Sequence, residues 1–105
     1  MISVTHFTAS DGAFAERARL ALHALAARPG YLRGTIGRCA DDDSRWVLLT
    51  EWANVGSYRR ALGRYDVRLH ATPLLAEALD LPNSFEPLID IAPGGATELR
   101  ASDRG

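Results

Sequence analysis

Lysine is absent from this chain of 105 residues, and all twelve of its basic side chains are arginine. That excludes a Schiff-base lysine, a pyridoxal-phosphate enzyme and a Walker-type phosphate loop. Cysteine is almost absent as well. Cys39 stands alone, so the chain forms no internal disulfide and no thiolate-based zinc or iron–sulfur centre. No charge of one sign dominates. A net charge of −1 gives no field able to hold nucleic acid or an anionic membrane. No apolar run approaches the roughly 20 residues of a membrane span. The opening MISVTHFTASDG lacks the cationic and apolar regions of a signal peptide. A cytoplasmic location is the expectation. Three histidines, His6, His23 and His70, have no common ligand spacing and give no metal site.

What is present is one domain's worth of ordinary globular composition, 47% hydrophobic and 24% charged. ISVTHFT, from Ile2 to Thr8, is β-branched and aromatic and reads as a strand. Ser10 or Asp11 is placed to cap a helix whose stripe is Phe14, Ala18, Ala21, Leu22 and Leu25, stopped by Pro29-Gly30. Tyr31 to Cys39 and Arg45 to Trp52 read as two strands joined through a longer loop at Ala40–Ser44. The unbroken run WVLL marks the second as a central strand. Asn54 caps a helix from Val55, and Thr72-Pro73 offers a further helix start. Ser84 to Ile91 is the last strand, with Pro87 at an edge or bulge.

The order β-α-β-β-α-β predicts an α+β, ferredoxin-like fold with a four-stranded antiparallel sheet, over residues 1–92. Residues 93–105 are expected to be a tail, flexible or packed on a partner subunit. Helices cover one sheet face only, yet the strands are not clean alternators. A homodimer through the open sheet face is therefore expected.

This order, the Arg28-Pro29-Gly30-Tyr31-Leu32 helix exit and Glu51-Trp52 at the end of the third strand resemble the antibiotic biosynthesis monooxygenase family. Tyr58 and a later histidine-containing helix fit the same pattern. The resemblance implies a dimeric α/β barrel. It also implies, for some members, oxygenation of a flat phenolic substrate by molecular oxygen with no metal or flavin as cofactor. Trp52 and Tyr58 stand where such members carry a tryptophan and a tyrosine. The polar residues of the second strand and of the position four before the tryptophan are here Gly37 and Leu48, so half of that set is missing. Haem-degrading members place a tryptophan where this chain has Ala61, and their first-strand asparagine has no counterpart near His6.

Tyr58, Leu62, Tyr65 and Leu69 lie within about 60° on a helical wheel and read as one buried stripe. Core packing explains the leucines, while a buried tyrosine hydroxyl needs a partner and suits a pocket wall. His70 depends on the helix. In one continuous helix it is a flank residue beside Arg59 and Asp66. With a break near Gly63 and a restart after Asp66 it joins Val67, Ala71 and Leu74 on an inward stripe, as the best general base available. His6 shares a strand face with Val4 and Thr8 and is the second choice. Arg60, Arg64 and Arg68 trace a solvated flank. Asp41-Asp42-Asp43-Ser44 lacks the glycine and terminal glutamate of a calcium loop. Gly34-Thr35-Ile36-Gly37 opens no helix and is no nucleotide loop, but it can leave room for a ligand or for a partner's backbone.

The expected function is cofactor-independent oxygenation of a flat aromatic, phenolic substrate. His70 and His6 are the candidate catalytic residues, and Trp52, Tyr58, Tyr65, Leu48, Leu62 and Arg59 the substrate-binding ones. The alternatives are a non-catalytic small-ligand-binding or stress-response dimer of the same fold, and haem binding through a histidine.

Overall fold

A computed structural model describes residues 1–102. Its main sheet has four antiparallel strands in the order β2-β3-β1-β4, formed by Ile2–Thr8 (β1), Tyr31–Cys39 (β2), Asp42–Trp52 (β3) and Ser84–Phe85 (β4). β1 runs along β3 from Ile2 opposite Glu51 to Thr8 opposite Arg45. The apolar run of β3 is thus interior to the sheet, as its sequence predicts. A bulge at Leu32 shifts the β2 register between Tyr31 and Arg33.

Alternation sorts the side chains of β1. Ser3, Thr5 and Phe7 are buried beneath the helices, while Ile2, Val4 and His6 are half-buried on the open face. Helix α1 (Phe14–Ala26) covers the sheet with Phe14, Ala18, Ala21 and Leu25, the predicted stripe. Trp52, Phe7, Phe14, Leu25 and Val67 are the largest fully buried side chains. Each contributes roughly 1.5–3 kcal/mol of transfer free energy. Phe14 stacks at tilted angles on Phe7 and Trp46, with ring centroids 5.2 and 5.1 Å away.

Several local expectations are corrected. The β2–β3 loop is only Ala40-Asp41, because Cys39 already pairs with Asp42. Helix α1 begins at Phe14 without a side-chain cap, since Asp11 closes a turn by accepting from the Ala13 N–H instead. The second helical region is three short helices, α2 (Val55–Leu62), α3 (Tyr65–His70) and α4 (Thr72–Leu75). The last strand divides at Pro87, which has no N–H for a ladder. Beyond it, β5 (Ile89–Ile91) leaves the main sheet and pairs with β6 (Thr97–Leu99), so the expected tail is in part a strand. Residues 103–105 lie outside the described residues.

Candidate functional site

Asn54, in extended backbone, starts α2 by accepting from the Ser57 N–H and hydroxyl at 2.8 and 2.9 Å. That cap sets the turn which lowers Tyr58 onto the sheet. There the Tyr58 ring meets Trp52 at 5.6 Å, and Trp52 meets Tyr31 edge-on at 5.4 Å. Gly30, at φ +88°, brings the α1 exit so close to α2 that a Cβ would overlap the Ser57 side chain. At Gly34 the missing side chain makes room for the Tyr31 hydroxyl and Leu22, so this chain's own residues take that space.

The register then assembles a polar cluster under these rings. Ser3 lies opposite Thr50 and Thr5 opposite Leu48. The Trp52 indole N–H donates to Thr50 Oγ1 at 2.9 Å, and the Ser3 hydroxyl donates to the Tyr58 hydroxyl at 3.4 Å. Ser3, Thr5, Leu48, Thr50, Trp52 and Tyr58 are each 8% exposed or less. The Tyr58 oxygen accepts in that contact, so its own O–H proton is not used by it. Hydroxyl and aromatic groups that exclude water can bind a flat phenolic ring and stabilise negative charge on its oxygen. Burial also raises the Tyr31 phenol pKa above its ordinary value, keeping it neutral.

Among the sequence candidates, Trp52, Tyr58 and Leu48 meet at this cluster, and Leu62 is half-buried on the same helix. Tyr65 and Leu69 do not meet there. They are 75% and 53% exposed, so the single buried stripe is corrected. The cause is the break after α2: Arg64 sits in extended backbone (ψ 150°) and resets the helical phase. The break thus occurs as one expectation required, but α3 restarts at Tyr65, and the inward residues are Val67 on α3, Ala71 at its C-cap and Leu74 on α4. His70 is exposed at the end of α3, and Arg59 is exposed on α2.

His6 lies across the sheet. It lines an open-face groove of about 450 Å³ with Gly37, Cys39, Arg45, Trp46 and Val47. At its rim the Ser44 hydroxyl and N–H hold the Asp42 carboxyl pKa below its ordinary value. Among the described residues, no group of three His, Cys, Asp or Glu side chains could hold a metal ion. No described helix is long and apolar enough to cross a membrane.

Ser3, Thr5 and Thr50 were not singled out from sequence. Their signal is phase: they alternate in step with Phe7, Leu48 and Trp52, so these small hydroxyl residues occupy core positions.

Similarity to known proteins bears on the family and the fold. A deoxynogalonate monooxygenase of Streptomyces nogalater is 32% identical over 73 residues, or 70% of this chain. The chain spans only 62% of that relative's length. The crystal structure of SnoaB, a cofactor-independent oxygenase from Streptomyces nogalater, superposes with a TM-score of 0.65 at 29% identity, over 74% of this chain and 82% of that one. PA3566 from Pseudomonas aeruginosa has the same fold at 12% identity, with a TM-score of 0.62 over 96% of this chain and 93% of that one. The sequence profile of the antibiotic biosynthesis monooxygenase family matches residues 1–69, the segment that carries β1 through most of α3 and every residue of the buried cluster. By that match the chain belongs to the antibiotic biosynthesis monooxygenase family.

Proposed function

We propose that this protein is a cofactor-independent monooxygenase acting on a flat phenolic substrate bound between the sheet and α2. The observation that carries the reading is the buried cluster itself, in which Tyr58 and Ser3 present hydroxyls beside the Trp52 indole. The description of SnoaB as a cofactor-independent oxygenase supports the reaction class. Deprotonated substrate supplies the electrons to oxygen. A ring methylene becomes a carbonyl with one oxygen atom, and the other leaves as water with the two methylene hydrogens. The protein holds the ring, excludes water and donates from Tyr58 to the phenolate oxygen.

The cluster is closed to solvent, so substrate entry requires α2 to part from the sheet. In that motion Leu62, Tyr65 and Arg59 would meet substrate at the mouth. His70 would then be the acceptor of the phenol proton. His6 would serve only a substrate held in the open-face groove, and that groove favours one second reading, small-ligand binding without catalysis.

The test is oxygen uptake and quinone absorbance with an anthrone or a naphthol in air, without added flavin or metal. Turnover is expected, and Tyr58→Phe is expected to lower it by about tenfold or more without unfolding the protein. Absence of any rate above background across such substrates would sink the oxygenase reading. Activity untouched in His70→Ala would remove that histidine as the base.

We also propose a homodimer through the open sheet face, where Ile2, Val4, Val47 and Leu49 are half-buried but not packed against the core. The β5–β6 ribbon supports it. Its Ile89, Ile91 and Leu99 are 63%, 66% and 77% exposed along one face, and an isolated two-stranded ribbon is marginal in water.

A further inference from the structure

Arg28, Arg60 and Arg64 surround a pocket of about 340 Å³ between the exit of α1 and one flank of α2, closed by Pro29, Ser57 and Ala61. Ser57, Arg60 and Ala61 lie on α2, Arg64 follows just after it in extended backbone, and the fold brings Arg28 to them from a different element. Among the described residues none of the three guanidiniums has a carboxylate within ion-pair distance. Arg17, Arg19, Arg33 and Arg100 each have at least one; Arg38, Arg45, Arg59 and Arg68 also lack one among the described residues but do not line this pocket. Arg28 Nε is buried without any hydrogen-bond partner, alone among buried side-chain polar atoms of the described residues. Arg60 reaches only the Ser57 hydroxyl, at 3.4 Å.

Three guanidiniums lining one pocket, one of them with a buried unpaired donor, favour something negative between them. A carboxylate occupies one guanidinium fork. A tetrahedral dianion offers oxygens in several directions and enough charge for three. The apolar wall of Pro29 and Ala61 strengthens such contacts by excluding water on one side. We infer that this pocket binds a phosphate dianion, either free or as the terminal group of a small phosphorylated molecule. It is separate from the Trp52–Tyr58 cluster, and it would remain if the oxygenase reading failed.

Isothermal titration of the full chain with inorganic phosphate, phenyl phosphate and benzoate tests this at low ionic strength. The pH is kept at about 8, above the second ionisation of both the phosphate monoester and inorganic phosphate. One saturable phosphate site per chain is expected, with benzoate weaker. Arg60→Gln and Arg64→Gln remove exposed side chains that the fold does not need, and each is expected to weaken binding about tenfold or more. Arg68→Gln, an equal loss of charge outside the pocket, should leave it unchanged. Tighter binding of phenyl phosphate than of phosphate assigns the site to phosphorylated molecules, and the reverse assigns it to free phosphate. Failure of phosphate to saturate, equal affinity for benzoate, or equal loss in Arg68→Gln overturns the proposal.

Discussion

Gly30 shows how a single residue positions the site. Its φ of +88° and its contact with Ser57 leave no room for a side chain, and the chain direction out of α1 depends on both. Gly30→Ala is expected to destabilise the protein by about 2 kcal/mol or more, read as a lower urea midpoint, because the left-handed cost and the overlap add. Tyr58→Phe differs in kind. The hydroxyl's Ser3 contact is 3.4 Å long, so its loss should cost less than about 1 kcal/mol of stability while lowering turnover. Trp52 and Tyr58 were legible as site candidates because their spacing marks a strand end and the helix after it. His70 and Tyr65 were named as candidates as well, but both are exposed after the break at which Arg64 sits in extended backbone. Nothing local in Gly63-Arg64-Tyr65 dictates that phase; the packing of Val67, Ala71 and Leu74 does.

At the scale of elements, α2 rests on its cap. Asn54→Ala removes both acceptor contacts to Ser57 and is expected to cost about 1 kcal/mol, measured by thermal unfolding. It should also lower oxygenase activity, because Tyr58 sits one turn from that cap. A second tie joins α1 to the segment after α4, where Arg17 Nη1 donates to Glu77 at 2.6 Å. That hydrogen bond is the main cause of the Glu77 pKa lying below its ordinary value. A depressed carboxylate stabilises the fold above its unfolded pKa, near 4.5, and the contribution fades as pH falls through the lower folded value. Glu77→Gln is therefore expected to change little in high salt and to flatten the loss of stability just below that pH in low salt, as followed by acid titration of the circular dichroism signal.

At the scale of the whole molecule, the proposed dimer rests on the contrast between one covered and one open sheet face. Leu49→Arg places a charge at the centre of the open face, opposite Val4. Light scattering during gel filtration should show a dimer for the native chain and a monomer for this variant. A native chain that runs as a monomer would refute the dimer. The sequence by itself determined the element order, the α1 stripe, the Asn54 cap and the central place of WVLL, because each follows from periodicity or from a local hydrogen bond. It likewise excluded lysine chemistry and disulfides outright. Only the tertiary structure decided where the second helix changes phase and that Arg28 meets Arg60 and Arg64. Those are contacts between elements distant in sequence, set by strand register and by the angle at which each helix leaves the sheet, and no local pattern encodes either one.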